Sequence, residues 1–155
     1  MSDVLKILGF CALVSVACFL WFCSALTQVE EVHPDSVNLR FRSAVLQFED
    51  PTPMRVRDAS GHVLHLRCRD PRIVPGAPTD LVVMVWRGPE SGFVETRMPI
   101  WLLGMWEPAR DYMLRDSRFD PVDWGLSVAE IQTAGPGVVI DHVDRSGSRL
   151  LVWAE

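Results

Sequence analysis

Hydrophobic and polar positions are distributed unevenly along this chain. Residues 5–26 form a nearly unbroken apolar run in which Lys6 carries the only charge. About 20 apolar residues cross the hydrocarbon of a bilayer as one helix, so the run predicts an N-terminal single transmembrane helix. Residues 1–26 are read as the anchor, 27–35 as a polar, acidic tether and 36–155 as one small domain. Gly9, Cys11, Ala12, Ser15 and Cys18 recur near helical spacing, where small side chains let a second helix approach. Trp21 and Phe22 stand near the outer end, where aromatic belts lie.

Within the domain the period shortens. Val37, Leu39 and Phe41 alternate with Asn38, Arg40 and Arg42, which predicts a half-buried strand over residues 37–48. A short strand over 54–56 and another over 62–69 follow, separated by a turn at Ala59-Ser60-Gly61. Residues 70–80 hold three prolines and a glycine and read as loop. The run LVVMVWR over 81–87 is apolar without alternation, the mark of a central strand covered on both faces. Residues 93–98 are expected to pair back on it as a hairpin.

The second apolar cluster, PIWLLGMW over 99–106, is too short to span a membrane. Pro108 suits the first position of a helix whose inner face holds Ala109, Tyr112 and Met113, with Asp111 and Arg115 as an i,i+4 pair. Ser127 and Glu130 form an S-x-x-E capping box, flanked by Leu126 and Ile131 at the staple positions. Gly135-Pro136-Gly137 stops that helix, and residues 138–143 and 149–153 read as a C-terminal β-hairpin. The pattern predicts an α+β domain with a mostly antiparallel sheet and two or three short helices. No internal repeat stands out.

Three fates compete for the N-terminal run. As an anchor it has Lys6 at its near end and Glu30, Glu31 and Asp35 at its far end, which favours a cytoplasmic N-terminus and an exported domain. As a cleaved signal it offers Cys23-Ser24-Ala25, although the run exceeds the usual apolar length of about 7–15 residues. As a lipoprotein signal, Val16-Ala17-Cys18 lacks the expected aliphatic residue at Ser15. All three place the domain outside the cytoplasm.

Composition narrows the partners. A net charge of -5 argues against nucleic acid, whose phosphates require a basic face. Cys11, Cys18 and Cys23 lie in the apolar run, and Cys68 stands alone in the domain, where it has no partner for an intradomain disulfide.

Candidate chemistry is sparse. His62, His65 and Cys68 are zinc-binding types, but on a strand His65 points away from the other two, and no second pair follows at finger spacing. Asp141 and His142, adjacent on a strand, face opposite sides and make no triad. Asp116, Asp120 and Asp123 lack calcium-loop spacing, and Asp120 reads as the cap of the Pro121 turn. No metal, cofactor or catalytic group is assigned. Trp86, Trp101, Trp106, Trp124 and Trp153 are read first as core. The alternative is a partner or membrane-interface patch of Trp101, Leu102, Leu103 and Trp106.

The expectation from sequence is a membrane-anchored extracytoplasmic accessory or protein-interaction module of the cell envelope, non-enzymatic. Its partners are the membrane and an envelope protein or a second copy. Two alternatives stand beside it. One is an envelope hydrolase drawing on some of His62, His65, His142 and the acidic loop. The other is a small-ligand or glycan binder using tryptophans.

Overall fold

The computed structural model describes residues 2–25, 27–30, 34–58, 60–66, 76–88, 90, 92–104, 111, 114–115 and 117–155. Helix α1 (Ser2–Ala25) leads into strand β1 (Thr27–Glu30) and helix α2 (Pro34–Leu46). Then come β2 (Arg55–Arg57), β3 (Val63–His65), β4 (Asp80–Trp86) and β5 (Phe93–Pro99). Helix α3 (Ile100–Leu103), helix α4 (Val128–Ala134), β6 (Gly137–Val143) and β7 (Arg149–Ala154) complete the described elements. This is a small α+β domain, as expected. Its seven strands form one sheet in the order β1-β5-β4-β7-β6-β2-β3. The sheet is mixed: β2 runs parallel to β6, and the other described pairs are antiparallel.

The sheet is buried on both faces, and alternation along β4 shows why. Leu81, Val83 and Val85 enter one core with Met98, Ile100, Leu102, Trp124, Ile131 and Val152. Val82, Met84 and Trp86 enter the other with Val37, Phe41, Phe93, Leu151 and Trp153. The central strand covered on both faces, expected over 81–87, is therefore present. The expected hairpins are present as well: β4 with β5, and β6 with β7 at the C-terminal end. A bulge between Val138 and Ile140 sends Val139 and Ile140 into the same core, although they are neighbours in sequence.

Residues 37–48 are not a strand. They lie largely in α2, which covers the second core. Val37, Phe41, Ala44, Val45 and Phe48 pack there, at helical spacing, while Leu39 and Leu46 are exposed. Phe41 meets Phe93 edge to face with 6.1 Å between ring centroids, and the Arg149 guanidinium sits 4.6 Å over the Phe41 ring. Thr27–Glu30, inside the segment read as a tether, is strand β1, paired antiparallel on β5.

α4 begins as its sequence dictates. The Glu130 amide donates to Ser127 Oγ at 3.2 Å, and Glu130 Oε2 accepts from the Ser127 amide at 3.2 Å. The other oxygen of the same carboxylate, Oε1, receives Arg55 Nη2 at 2.8 Å. Arg55 is only 2% exposed, so this bond ties the helix start to β2 across the core. Burial pushes the Glu130 carboxyl up, but Ser127 and Arg55 together pull it below its ordinary value.

Among the described residues no helix is long and apolar enough to cross a membrane, so the transmembrane helix expected over 1–26 finds no support there. Within α1 the described side chains are those of Ile7, Gly9–Cys18 and Trp21; the rest lie outside the described ones. Ile7, Phe10, Leu13, Val14, Val16 and Trp21 are exposed.

Candidate functional site

Because β2 and β6 are parallel neighbours, with Arg55 opposite Ile140, their C-terminal ends lie side by side. Each leads into a turn of related sequence. Asp58, Ser60, Gly61 and Leu64 correspond to Asp144, Ser146, Gly147 and Leu150, a D-x-S-G-x-x-L pattern used twice. The turns are also built alike. Asp58 Oδ1 accepts from the Ser60 amide at 2.9 Å, the Ser60 hydroxyl at 2.6 Å and the His62 amide at 2.9 Å. Asp144 Oδ1 accepts from the Ser146 amide at 2.7 Å, the Ser146 hydroxyl at 2.6 Å and the Ser148 amide at 2.9 Å. Gly61 and Gly147 sit at φ +89° and +84°, where glycine alone is free of strain. Each turn closes with a pair of backbone bonds, Gly61 to Asp58 and Asp58 to His62, Gly147 to Asp144 and Asp144 to Ser148.

Between the two turns lies an open cleft of about 420 Å³, lined by Arg57, Asp58, Gly61, His142, Val143, Asp144 and Arg145. Two of its lining side chains, Arg57 and His142, pack behind it on Trp124. The Arg57 guanidinium lies 4.3 Å over the Trp124 ring, and His142 meets the same ring edge to face at 5.4 Å. Arg57 Nη2 donates to the Asp123 carbonyl at 3.1 Å, and its Nε is buried with no partner among the described residues. The Ser60 hydroxyl, helped by the His62 and Ser60 amides, holds the Asp58 carboxyl below its ordinary range. The Ser146 hydroxyl and the Ser148 and Ser146 amides do the same for Asp144. Both carboxylates stay ionised, and each holds its own turn through Oδ1. The cleft is a polar recess bordered by arginine, histidine and aspartate.

The sequence-predicted residues fall as follows. His62 is in the first turn, exposed, sharing a hydrogen bond of 2.9 Å with the Ser60 hydroxyl. His65 is exposed on edge strand β3, and Cys68 lies outside the described residues. Asp141 and His142 do face opposite sides: Asp141 meets Arg149 at 3.4 Å on the α2 face, and His142 meets Trp124 on the other. Asp120 caps the Pro121 turn by accepting from the Val122 amide at 2.8 Å, while Asp116 lies outside the described residues. The cleft takes in His142 but neither His62 nor His65, and no tryptophan lines it.

Of the apolar patch, Trp101 is 57% exposed, Leu102 is 2% exposed in the core, and Leu103 is half-buried. Trp106, with residues 105–110, lies outside the described residues, as do Ala109, Tyr112 and Met113 of the expected helix. Trp86, Trp124 and Trp153 are core. Sequence reasoning missed Arg57, Asp58, Asp144 and Arg145. The repeated D-x-S-G-x-x-L pattern was the available signal. Comparison with known protein families, curated proteins and solved structures returns no match for this chain.

Proposed function

We propose that this chain is a membrane-anchored accessory module of the cell envelope, non-enzymatic, with α1 in the membrane, the N-terminus cytoplasmic and the domain outside the cytoplasm. The observation that carries this reading is the junction. α1 is a 24-residue helix with Asp3 and Lys6 as its only charged residues, and one residue separates its end from β1. At 1.5 Å per residue such a helix is ~36 Å long, against a hydrocarbon core of ~30 Å; its apolar character is read from the sequence, since the described residues alone do not make a spanning stretch. The exposed apolar side chains of Ile7, Phe10, Leu13, Val14 and Val16 have no cover from the domain, and lipid or a partner helix supplies it. The tight junction fixes the domain near the bilayer and raises its effective concentration towards envelope proteins or other copies of itself.

This arrangement carries the cleft away from the membrane. β1 begins opposite Thr96, the middle residue of β5, and runs towards the Phe93 end of the sheet, where the cleft lies. The three strand steps from Thr96 to Phe93 span ~10 Å. The cleft is where a partner approaching from the compartment meets the module.

The test is membrane fractionation of the full chain and of Leu13→Arg. A charge at the centre of a spanning helix costs about 2.5–3.5 kcal/mol, so the variant is expected to shift towards the soluble fraction or fail insertion. A C-terminal reporter active only outside the cytoplasm reads the orientation. A full chain that is alkali-extractable sinks the anchor; a reporter active only in the cytoplasm sinks the topology.

A further inference from the structure

We infer that the cleft between the two turns binds a small zwitterion of the α-amino acid type, with its carboxylate on Arg57 and its ammonium on the two aspartates. The inference goes beyond the anchored reading and does not depend on it.

The formal charges of the lining cancel: Arg57 and Arg145 stand against Asp58 and Asp144. A bare anion drawn to the guanidiniums meets both carboxylates, and a bare cation drawn to the carboxylates meets both guanidiniums. A ligand carrying both charges a few ångströms apart satisfies the two sets together. Among the described residues Asp58, His142 and Asp144 do not come together as a metal site.

The charges are held in place with bonding capacity left over. The Arg57 guanidinium is fixed by the Trp124 ring at 4.3 Å and by its Nη2 bond to the Asp123 carbonyl. Its Nε is buried, and its Nη1 makes no hydrogen bond among the described residues. A guanidinium already fixed loses little freedom when a carboxylate docks on it. Asp58 and Asp144 are oriented by the three bonds that each Oδ1 accepts within its turn. Each Oδ2 is left without a hydrogen bond among the described residues; that of Asp58 has His62 Nδ1 at 3.9 Å. An ammonium has three donors for such oxygens.

Size and shape select the class. The volume of about 420 Å³ lies in the lower part of the range of ~300–1,000 Å³ typical of small-molecule sites. A free α-amino acid carries both charges on one carbon, whereas the end of a peptide chain carries one. Val143 adds an apolar surface for the ligand's side chain. Because the cleft is open to water, the charge pairs are screened and the expected Kd is about millimolar.

The test titrates the full chain in detergent and follows backbone amide shifts by NMR. The probes are L-alanine, N-acetyl-L-alanine, which keeps only the carboxylate, and L-alaninamide, which keeps only the ammonium. L-alanine is expected to move the amides of the two turns and of the adjoining ends of β2 and β6, with each analogue about tenfold weaker or more. Arg57→Gln is expected to abolish the response to L-alanine while the signals of β4 and β7 stay in place; should that variant lose its fold, the analogue series on the native chain decides alone. An analogue that binds as well as L-alanine, shifts centred away from the turns, or no response to L-alanine up to ~20 mM overturns the inference. Each of these results leaves the anchor standing, because the binding is read without a membrane.

Discussion

The hairpins β2–β3 and β6–β7 end in the same turn and are held in place by different means. β6 and β7 lie inside the sheet, and Val138, Val139, Ile140, Leu151 and Val152 are fully buried. β2 and β3 are three residues each at the edge; Leu64 is 44% exposed and Val63 half-buried. Beside its ladders with β3 and β6, β2 is secured by polar contacts: Arg55 to Glu130, and Arg57 to the Asp123 carbonyl and the Trp124 ring. The same turn chemistry can therefore cap a core hairpin or an edge hairpin. The turn selects where the chain reverses, and the strands decide how much free energy opposes its opening.

Core truncation separates the two most sharply. Leu151→Ala is expected to lower global stability by about 2–5 kcal/mol, and Leu64→Ala by less than about 1 kcal/mol, in urea unfolding of the full chain in detergent. Equal losses would remove the distinction between hairpins. Next in size is Glu130→Ala, which leaves buried Arg55 without its partner and also removes half of the capping box. With Glu130 partly exposed, a loss of about 2–3 kcal/mol is expected, and amide exchange should quicken in β2 and β3 before β6 and β7. Uniform quickening across the sheet would mean that the bond serves the whole fold and not the edge hairpin.

Gly61→Ala and Gly147→Ala test the turns themselves. A Cβ at either position meets nothing within 4 Å, so the cost is conformational alone, about 1–2 kcal/mol each. The Gly147 loss is expected in global unfolding, and the Gly61 loss mainly as local opening seen by hydrogen exchange. The smallest effect is that of acid. Asp58 and Asp144 have folded values below the ordinary aspartate value of about 3.9, so the unfolded chain takes up protons first as pH falls. Their stabilisation is complete above that value and fades as pH drops through the lowered folded values. Asp144→Asn should flatten the acid limb of the stability curve below about pH 4, and an unchanged limb would show that its carboxylate is not ion-specific in the turn.

How much of this was legible in the sequence depended on the range of the interaction. The β4–β5 and β6–β7 hairpins and the Ser127–Glu130 cap are local, and each was readable from residues a few places apart. α2 was misread because Val37, Leu39 and Phe41 satisfy period two, while Val37, Phe41, Ala44, Val45 and Phe48 satisfy the helical period equally well. Only the second core, formed by β4, β5 and β7, decides between them by burying Phe41 and leaving Leu39 exposed. β1 is four residues with no apolar alternation, and its partner lies across a separation of almost 70 residues that no local pattern encodes. The cleft was hidden for the same reason: it exists because β2 and β6 pair in parallel, which brings two remote copies of one turn together.

The short passage from α1 to β1 bears on proteolytic maturation. A signal protease acting after Ala25 needs an extended stretch of chain on both sides of the cut. Here Thr27 is already paired with Thr96 on one side, and α1 is helical up to Ala25 on the other. Were the N-terminal run a signal cut after Ala25, the order of events would determine the product: a protease arriving before β1 joins β5 would release a free domain, and one arriving later would meet a chain already held in helix and sheet on either side.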